Sequence, residues 1–132
     1  MLKRALFVFA FQLLLNGAFA GCDLADVIKK STRASVIATA STGDMRLRAI
    51  GADILVYCDR PGATVYGHET PPSRGFFTVL GVIGKIVLRA PESKTIKTAE
   101  TCLKGGDKDI CMMLPNGSVD CWDGNICRVE RW

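Results

Sequence analysis

The 132-residue chain has little of what metal sites, membrane spans and nucleic-acid binders are built from. It contains one histidine, His68, and no two of its six cysteines form a C-x2-C pair, so a zinc site is not expected. No cofactor is indicated either. The longest apolar run, residues 5–15, is about half of the roughly 20 residues that cross a bilayer. The formal net charge of +4 is too small for a strongly basic nucleic-acid binder.

What the first 20 residues do contain is the pattern of a secretory signal peptide. Lys3 and Arg4 precede the apolar run, and small residues at Ala18 and Ala20 follow it. We therefore expect residues 1–20 to be removed on export, and residues 21–132 to form a single small secreted domain without a transmembrane segment. Removing 20 of the 132 residues leaves 112 and halves the net charge, because Lys3 and Arg4 leave with the signal.

The stretch Phe19-Ala20-Gly21-Cys22 leaves a second processing route open, because it resembles a bacterial lipobox. In that case Cys22 would carry a lipid and anchor the protein in the bacterial envelope. A lipobox usually begins with Leu rather than Phe, however, and lipidation would leave an odd number of cysteines. Secretion to the extracellular space is therefore favoured, with the bacterial periplasm as the alternative.

Hydrophobic patterning predicts one helix followed by many short strands. An acid-to-base polarity and apolar residues at helical spacing favour a single short N-terminal helix, Leu24 to Ala34. After it, period-2 or β-branched runs separated by Pro and Gly turns predict strands. These runs are residues 45–50, 52–58, 63–67, 75–80, 82–90, 94–100, 109–114, 118–122 and 126–132. The expected fold is α+β, a mainly antiparallel β-sheet with that one helix, stapled by disulfides; an all-β sandwich is the alternative.

The six cysteines of an exported domain are expected to form three structural disulfides. A three-residue hairpin loop over residues 115–117 would place Cys111 opposite Cys121 at a non-hydrogen-bonded site, where two strands approach closely enough for a bridge. The remaining pairs follow from the positions near the two ends of the domain and from elimination. The predicted bridges are Cys111–Cys121, Cys22–Cys127 and Cys58–Cys102. Asn116, at the tip of the same hairpin, begins an N-glycosylation acceptor sequence.

A polar loop after the predicted strand 63–67 holds the residues best suited to acid–base chemistry. A histidine titrates near neutrality and an arginine binds anions, so such a group could hold a phosphate and move a proton. The catalytic candidates are Tyr66, His68, Glu69 and Arg74. Loops and exposed aromatic residues also carry binding functions. The binding candidates are His68, Arg74, Trp122 and Trp132.

Tyr66-x-His68, followed seven residues after the histidine by Gly75-Phe76, resembles the Y-x-H…G-F strand of the small secreted fungal guanyl-specific ribonucleases. The stretch 109–122 is similar to their penultimate hairpin, and a cysteine near each end of the domain is similar to their terminal disulfide. The resemblance implies a ribonuclease-like fold. It also implies a Glu base on the strand after G-F and a second His acid after the hairpin.

The chain has neither of these two catalytic groups at the matching place. It has only apolar residues around Ile86, and Trp122-Asp123 after the hairpin. Because acid–base cleavage of RNA needs two positioned proton carriers, these departures favour the non-catalytic relatives that plant-pathogenic fungi secrete as effectors.

The leading hypothesis is a small secreted non-enzymatic binding protein, an effector or virulence protein that acts on a host or competitor macromolecule. A protein partner is favoured over nucleic acid, and the domain is expected to be a monomer. One alternative is a secreted ribonuclease-like enzyme that uses His68. Another is a bacterial periplasmic inhibitor or immunity protein, with or without a lipid on Cys22.

Overall fold

A computed structural model describes residues 22–105 and 111–132 of the chain, so the predicted signal peptide lies outside the described residues. The described residues form three helices and seven strands. In chain order these are α1 (Asp23–Thr32), β1 (Ser35–Thr39), β2 (Met45–Ala49), β3 (Ala52–Tyr57), β4 (Gly62–Gly67), α2 (Arg74–Leu88), α3 (Glu92–Gly105), β5 (Met112–Leu114), β6 (Gly117–Trp122) and β7 (Ile126–Arg131).

The seven strands form one sheet in the order β1-β2-β3-β4-β7-β6-β5, and every neighbouring pair is antiparallel. The helices α2 and α3 connect β4 to β5, which lies at the far edge of the sheet. Because α1 contacts α2 and α2 contacts α3, all three helices lie on the same side of the sheet. The fold is therefore a two-layer α+β arrangement.

Side-chain alternation gives the sheet two different faces. In β3, Ala52, Ile54 and Val56 are completely buried, whereas the residues between them are partly exposed. The buried set faces the helices, because successive side chains of a strand point to opposite sides. We call the helix-free side the open face. Its side chains are those of Arg46, Arg48, Asp53, Leu55, Tyr57, Thr64, Tyr66, Ser118, Asp120, Trp122, Ile126, Arg128 and Glu130.

The helix α2 supplies most of the helical half of the core. Phe76, Leu80, Ile83 and Val87 are buried, and their spacing of four, three and four residues places them along one side of a helix. The strand predictions for residues 75–80 and 82–90 are therefore wrong. An apolar, β-branched run fits a buried helix as well as a buried strand, and here tertiary packing overrides the strand propensity.

The helices α2 and α3 approach each other closely through small residues. A Cβ added at Gly84 would overlap the side chain of Thr95, and one added at Gly81 would crowd Ile96. In α3 the buried residues Thr95, Ala99 and Cys102 recur at helical spacing, so the prediction of a strand over residues 94–100 is also wrong.

The predicted α+β class is confirmed, and so is the predicted mainly antiparallel sheet. The predicted N-terminal helix is α1, which has Asp23 and Asp26 in its first turn and Lys29 and Lys30 in its last. It is one of three helices rather than the only one, and the all-β sandwich is wrong. Six of the predicted runs correspond to β2, β3, β4, β5, β6 and β7, although β4 and β6 each begin one residue before their run. Residues 109 and 110 of the β5 run lie outside the described residues. The edge strand β1 had no prediction.

The hairpin of β5 and β6 differs from its predicted register by one residue. Leu114 pairs with Gly117, so the loop consists of Pro115 and Asn116 alone. With a two-residue loop, Cys111 is no longer directly opposite Cys121. The backbone N–H of Cys111 instead donates to the carbonyl oxygen of Val119 at 2.9 Å.

All six cysteines are paired, but none of the three predicted pairings is observed. The bridges are Cys22–Cys58, Cys102–Cys111 and Cys121–Cys127, with Cα–Cα distances of 4.8, 5.6 and 4.1 Å. The β6–β7 register explains the last of these, because Cys121 and Cys127 are direct cross-strand partners. Cys102 is available to Cys111 because residues 92–105 are helical and α3 packs on β6, an arrangement that the strand prediction precluded.

Candidate functional site

The open face carries charged and aromatic side chains in cross-strand rows. One row joins Arg48, Asp53 and Tyr66 on β2, β3 and β4, and it continues through Ile126 to Trp122. The adjacent row joins Thr64, Arg128 and Asp120 on β4, β7 and β6. Directly opposite residues in a sheet are close enough for their side chains to interact, so the strand register alone brings these groups together.

A three-residue cluster at one end of the open face contains the chain's histidine. Nε2 of His68 lies 2.8 Å from Oδ1 of Asp53, and the same carboxylate accepts from Nε and an η nitrogen of Arg48 at 2.9 and 3.1 Å. The hydrogen bond from Arg48, followed by the one from His68, lowers the pKa of Asp53 to about 2 against the opposing effect of burial. Asp53 is therefore a fixed anion that orients both His68 and Arg48.

A second cluster lies on β6 and β7. An η nitrogen of Arg128 donates to Oδ2 of Asp120 at 2.7 Å, and its Nε lies 3.7 Å from Oε2 of Glu130. The hydrogen bond that Arg128 donates to Asp120 raises the pKa of Arg128. Asp120 is 7% exposed. Within the described part of the chain, Oδ1 of Asp120 and Nε of Arg128 are buried without a hydrogen-bond partner.

Three arginines lie over the three aromatic rings of the open face. The guanidinium carbon of Arg60 is 4.6 Å from the ring centre of Tyr57. The corresponding distances are 5.8 Å for Arg46 over Tyr66 and 5.7 Å for Arg128 over Trp122. Distances below about 6 Å are typical of cation–π contacts. Tyr57 is additionally hydrogen-bonded to Thr64, whose side chain is buried.

The structure brings two of the four catalytic candidates to this face. Tyr66 lies on the open face, and His68 follows the end of β4. Glu69 is exposed in the next loop position. Arg74 begins α2 and lines a separate cavity of about 360 Å³ on the helical side. Among the described residues, no hydrogen bond or ion pair joins Arg74 to His68.

The other predicted binding and modification sites are divided between the open face and the chain end. Trp122 is on the open face and 37% exposed. Trp132 is 64% exposed beyond β7, and its backbone N–H donates to the carbonyl oxygen of Asn116 at 2.9 Å. Asn116 is exposed in the two-residue hairpin loop, where a glycan could be accommodated.

Sequence reasoning missed the residues that organise both clusters. Asp53 and Asp120 had no predicted role, although strand alternation places each on the open face. The short turn at Ile50-Gly51 indicates the pairing of β2 with β3, which places Arg48 opposite Asp53. The turn at residues 123–125 likewise indicates the pairing of β6 with β7, which places Arg128 opposite Asp120. The pairing of β7 with β4 follows from the sheet order, and no local pattern in the sequence indicates it.

Searches of protein-family models, curated proteins and solved structures find no match to this chain. None of the described helices is long and apolar enough to cross a bilayer.

Proposed function

We propose that this protein is a small secreted, non-enzymatic binding protein, and that it binds a partner protein through the open face. The observation that carries the proposal is the set of three arginine–aromatic pairs on a sheet face that none of the described helices covers. Trp, Tyr and Arg are the residues most enriched among those that dominate protein–protein binding energies.

The second cluster presents an arginine beside Trp122. Nε of Arg128 and Oδ1 of Asp120 are buried and therefore not available to a partner. The side chain of Arg128 as a whole is 36% exposed, and its guanidinium carbon lies 5.7 Å from the ring centre of Trp122. A peptide or side-chain amide offers a carbonyl acceptor to such a side chain. The favoured occupant is therefore a protein segment that presents an amide group beside Trp122.

The charges on the open face favour a protein over a nucleic acid. Arg48, Arg60 and Arg128 are each paired with a carboxylate. These carboxylates would repel a phosphate backbone, and the paired arginines have little charge left to neutralise one. The three disulfides support export, because such bonds persist in oxidising compartments. The Cys22–Cys58 bridge supports the unlipidated form, since a lipid on Cys22 would occupy the same sulfur.

Photo-cross-linking from defined positions tests the binding proposal. A photoreactive residue replaces Trp122 on the open face in one variant and Val27 in the other, an exposed residue of α1 on the opposite side of the molecule. We expect a saturable adduct with one protein from position 122 and none from position 27. Adducts from position 27 alone would contradict the proposal.

The His68 cluster supports a second candidate, a secreted ribonuclease-like enzyme. The arrangement of Asp53 behind His68 is that of an oriented acid–base histidine, and Arg46 and Arg48 lie on the neighbouring strand. A single histidine supplies only one of the two proton carriers that RNA cleavage needs. Incubating the residue 21–132 domain with RNA beside a His68→Ala variant separates the candidates. Cleavage that is lost in the variant would favour the enzyme.

A further inference from the structure

Two of the three disulfides lie side by side. The sulfurs of Cys102, Cys111 and Cys121 all lie within 4.8 Å of one another. Because Cys102 is bonded to Cys111, and Cys121 to Cys127, a sulfur of one bridge is close to both sulfurs of the other. Thiol–disulfide exchange requires a thiolate close to a disulfide sulfur, and this cluster provides that proximity as soon as either bridge is opened.

Cys111 is the most exposed cysteine of the two neighbouring bridges. Both Cys102 and Cys111 line a cavity of about 430 Å³ on the surface of α3. Cys111 is only partly buried, whereas Cys102 is 7%, Cys121 5% and Cys127 0% exposed. An external thiol therefore reaches Cys111 first.

The cavity also has a positive rim. Lys94 and Lys97 line it together with the two cysteines, and both lysines are exposed. Positive side chains near a disulfide attract an anionic thiol and stabilise the thiolate that leaves the broken bond. The cavity thus fits a small thiol that carries carboxylates, such as one of the glutathione class.

We propose that Cys102–Cys111 is an exchange-active disulfide for an anionic low-molecular-weight thiol, and that Cys121–Cys127 is its internal acceptor. The external thiolate attacks the sulfur of Cys111 and forms a mixed disulfide. The Cys102–Cys111 bond breaks, and its electron pair leaves on Cys102. The Cys102 thiolate then attacks Cys121, the Cys102–Cys121 bond forms, and Cys127 leaves as the thiolate.

This sequence of steps needs no oxidant or reductant. One external thiolate is consumed and one protein thiolate, that of Cys127, is released, while the number of disulfide bonds stays at two. The product frees the β6–β7 hairpin from its cross-strand bridge, so the exchange changes a constraint on the strands that carry Asp120, Trp122 and Arg128.

A single substitution tests the internal step. In Cys127→Ser, Cys121 is left as a thiol beside the Cys102–Cys111 bridge. After alkylation, non-reducing peptide mapping is expected to find the free thiol distributed over Cys102, Cys111 and Cys121. The matched control is Cys58→Ser, which frees Cys22 outside the sulfur cluster, and here the free thiol should stay on Cys22. Retention of the free thiol on Cys121 alone would overturn the internal step.

The wild-type protein tests the external step, even where the variants fold poorly. Treatment with limiting reduced glutathione is expected to add one glutathione at Cys111 and to expose Cys127, with Cys22–Cys58 intact. A first adduct at Cys22 or Cys58, or no adduct, would overturn the proposal. Replacing Lys94 and Lys97 with Gln should slow the reaction with glutathione at least about threefold. The rate with 2-mercaptoethanol, whose thiolate carries no carboxylates, should fall less, and equal slowing with both thiols would refute the attraction of the carboxylates by the lysines.

Discussion

The two faces of the sheet are built from the same strands but serve different ends. On β3, Ile54 faces the helices and is fully buried, whereas its neighbour Leu55 faces the other way and is half-buried. The covered face is apolar and holds the helices in place. The open face has charged and aromatic residues at the matching positions, and those that are exposed remain accessible from outside. If the open face binds a partner, as we propose, the alternation of single strands separates stability from recognition.

The largest expected effect on stability comes from comparing two neighbouring residues of β3, one on each face of the sheet. Ile54→Ala should lower the free energy of unfolding by about 2–5 kcal/mol, because it leaves a cavity between the sheet and α2. Leu55→Ala, one residue away on the open face, should cost about 1 kcal/mol or less, because less apolar area is lost from contact. Urea unfolding with the disulfides intact measures both. Equal costs would contradict the assignment of the two faces.

The next effect tests how tightly the helical layer packs. Gly84→Ala should lower the free energy of unfolding by about 1–3 kcal/mol, because its Cβ would overlap Thr95. The matched control is Gly105→Ala at the end of α3, where a Cβ meets nothing within 4 Å. That variant should be neutral or slightly more stable. Thermal unfolding of the two variants compares them directly. A Gly84→Ala protein as stable as the wild-type protein would refute the close approach of α2 and α3.

A smaller effect comes from the Asp53 carboxylate on the open face. Its pKa is lowered to about 2, chiefly by Arg48, so its contribution to stability is present above the ordinary carboxyl pKa and is lost as the pH falls through about 2. The contribution is at most about 1 kcal/mol, because Arg48 is exposed and solvent screens the pair. Between about pH 4 and pH 2, the wild-type protein should therefore lose more unfolding free energy than Asp53→Asn does. Parallel acid-dependence curves would contradict this account of the pair.

The smallest effect is expected at the pair of Arg60 and Glu130, whose nitrogen and oxygen lie 3.1 Å apart. The side chain of Arg60 is 50% exposed, so Arg60→Ala should change stability by less than about 1 kcal/mol. Chemical denaturation measures the change. A loss of unfolding free energy as large as that of Ile54→Ala would contradict the different contributions of the two faces to stability.

The sequence predicted those helices and strands whose own residues show a clear pattern. The alternation in residues 45–50 predicted β2, the β-branched run in residues 52–58 predicted β3, and the charge polarity of residues 23–30 predicted α1. The sequence misled over residues 75–90, because their many β-branched residues favour a strand although the buried residues of α2 recur at helical spacing. The wrong strand prediction also made the disulfide prediction wrong. Residues 94–100 belong to the helix that places Cys102 beside Cys111, and a strand there would not do so.

The candidate site shows a second limit, which lies in cross-strand partners. His68 and Tyr66 were found because their residue types suggest chemistry in any context. Asp53 and Asp120 were not, because an aspartate on a strand is usually only a solvated side chain. Their roles come from the register of the hairpins β2–β3 and β6–β7, which places Arg48 and Arg128 opposite them. A hairpin loop one residue shorter than predicted was enough to change the cross-strand partner of Cys111.

We propose that this protein binds its partner through the open face. The most direct test is photo-cross-linking of the domain from position 122, beside position 27 on the helical side, with added unlabelled wild-type protein as competitor. We expect one adduct from position 122, abolished by the competitor, and none from position 27. Competitor-sensitive adducts from position 27, with none from position 122, would contradict it.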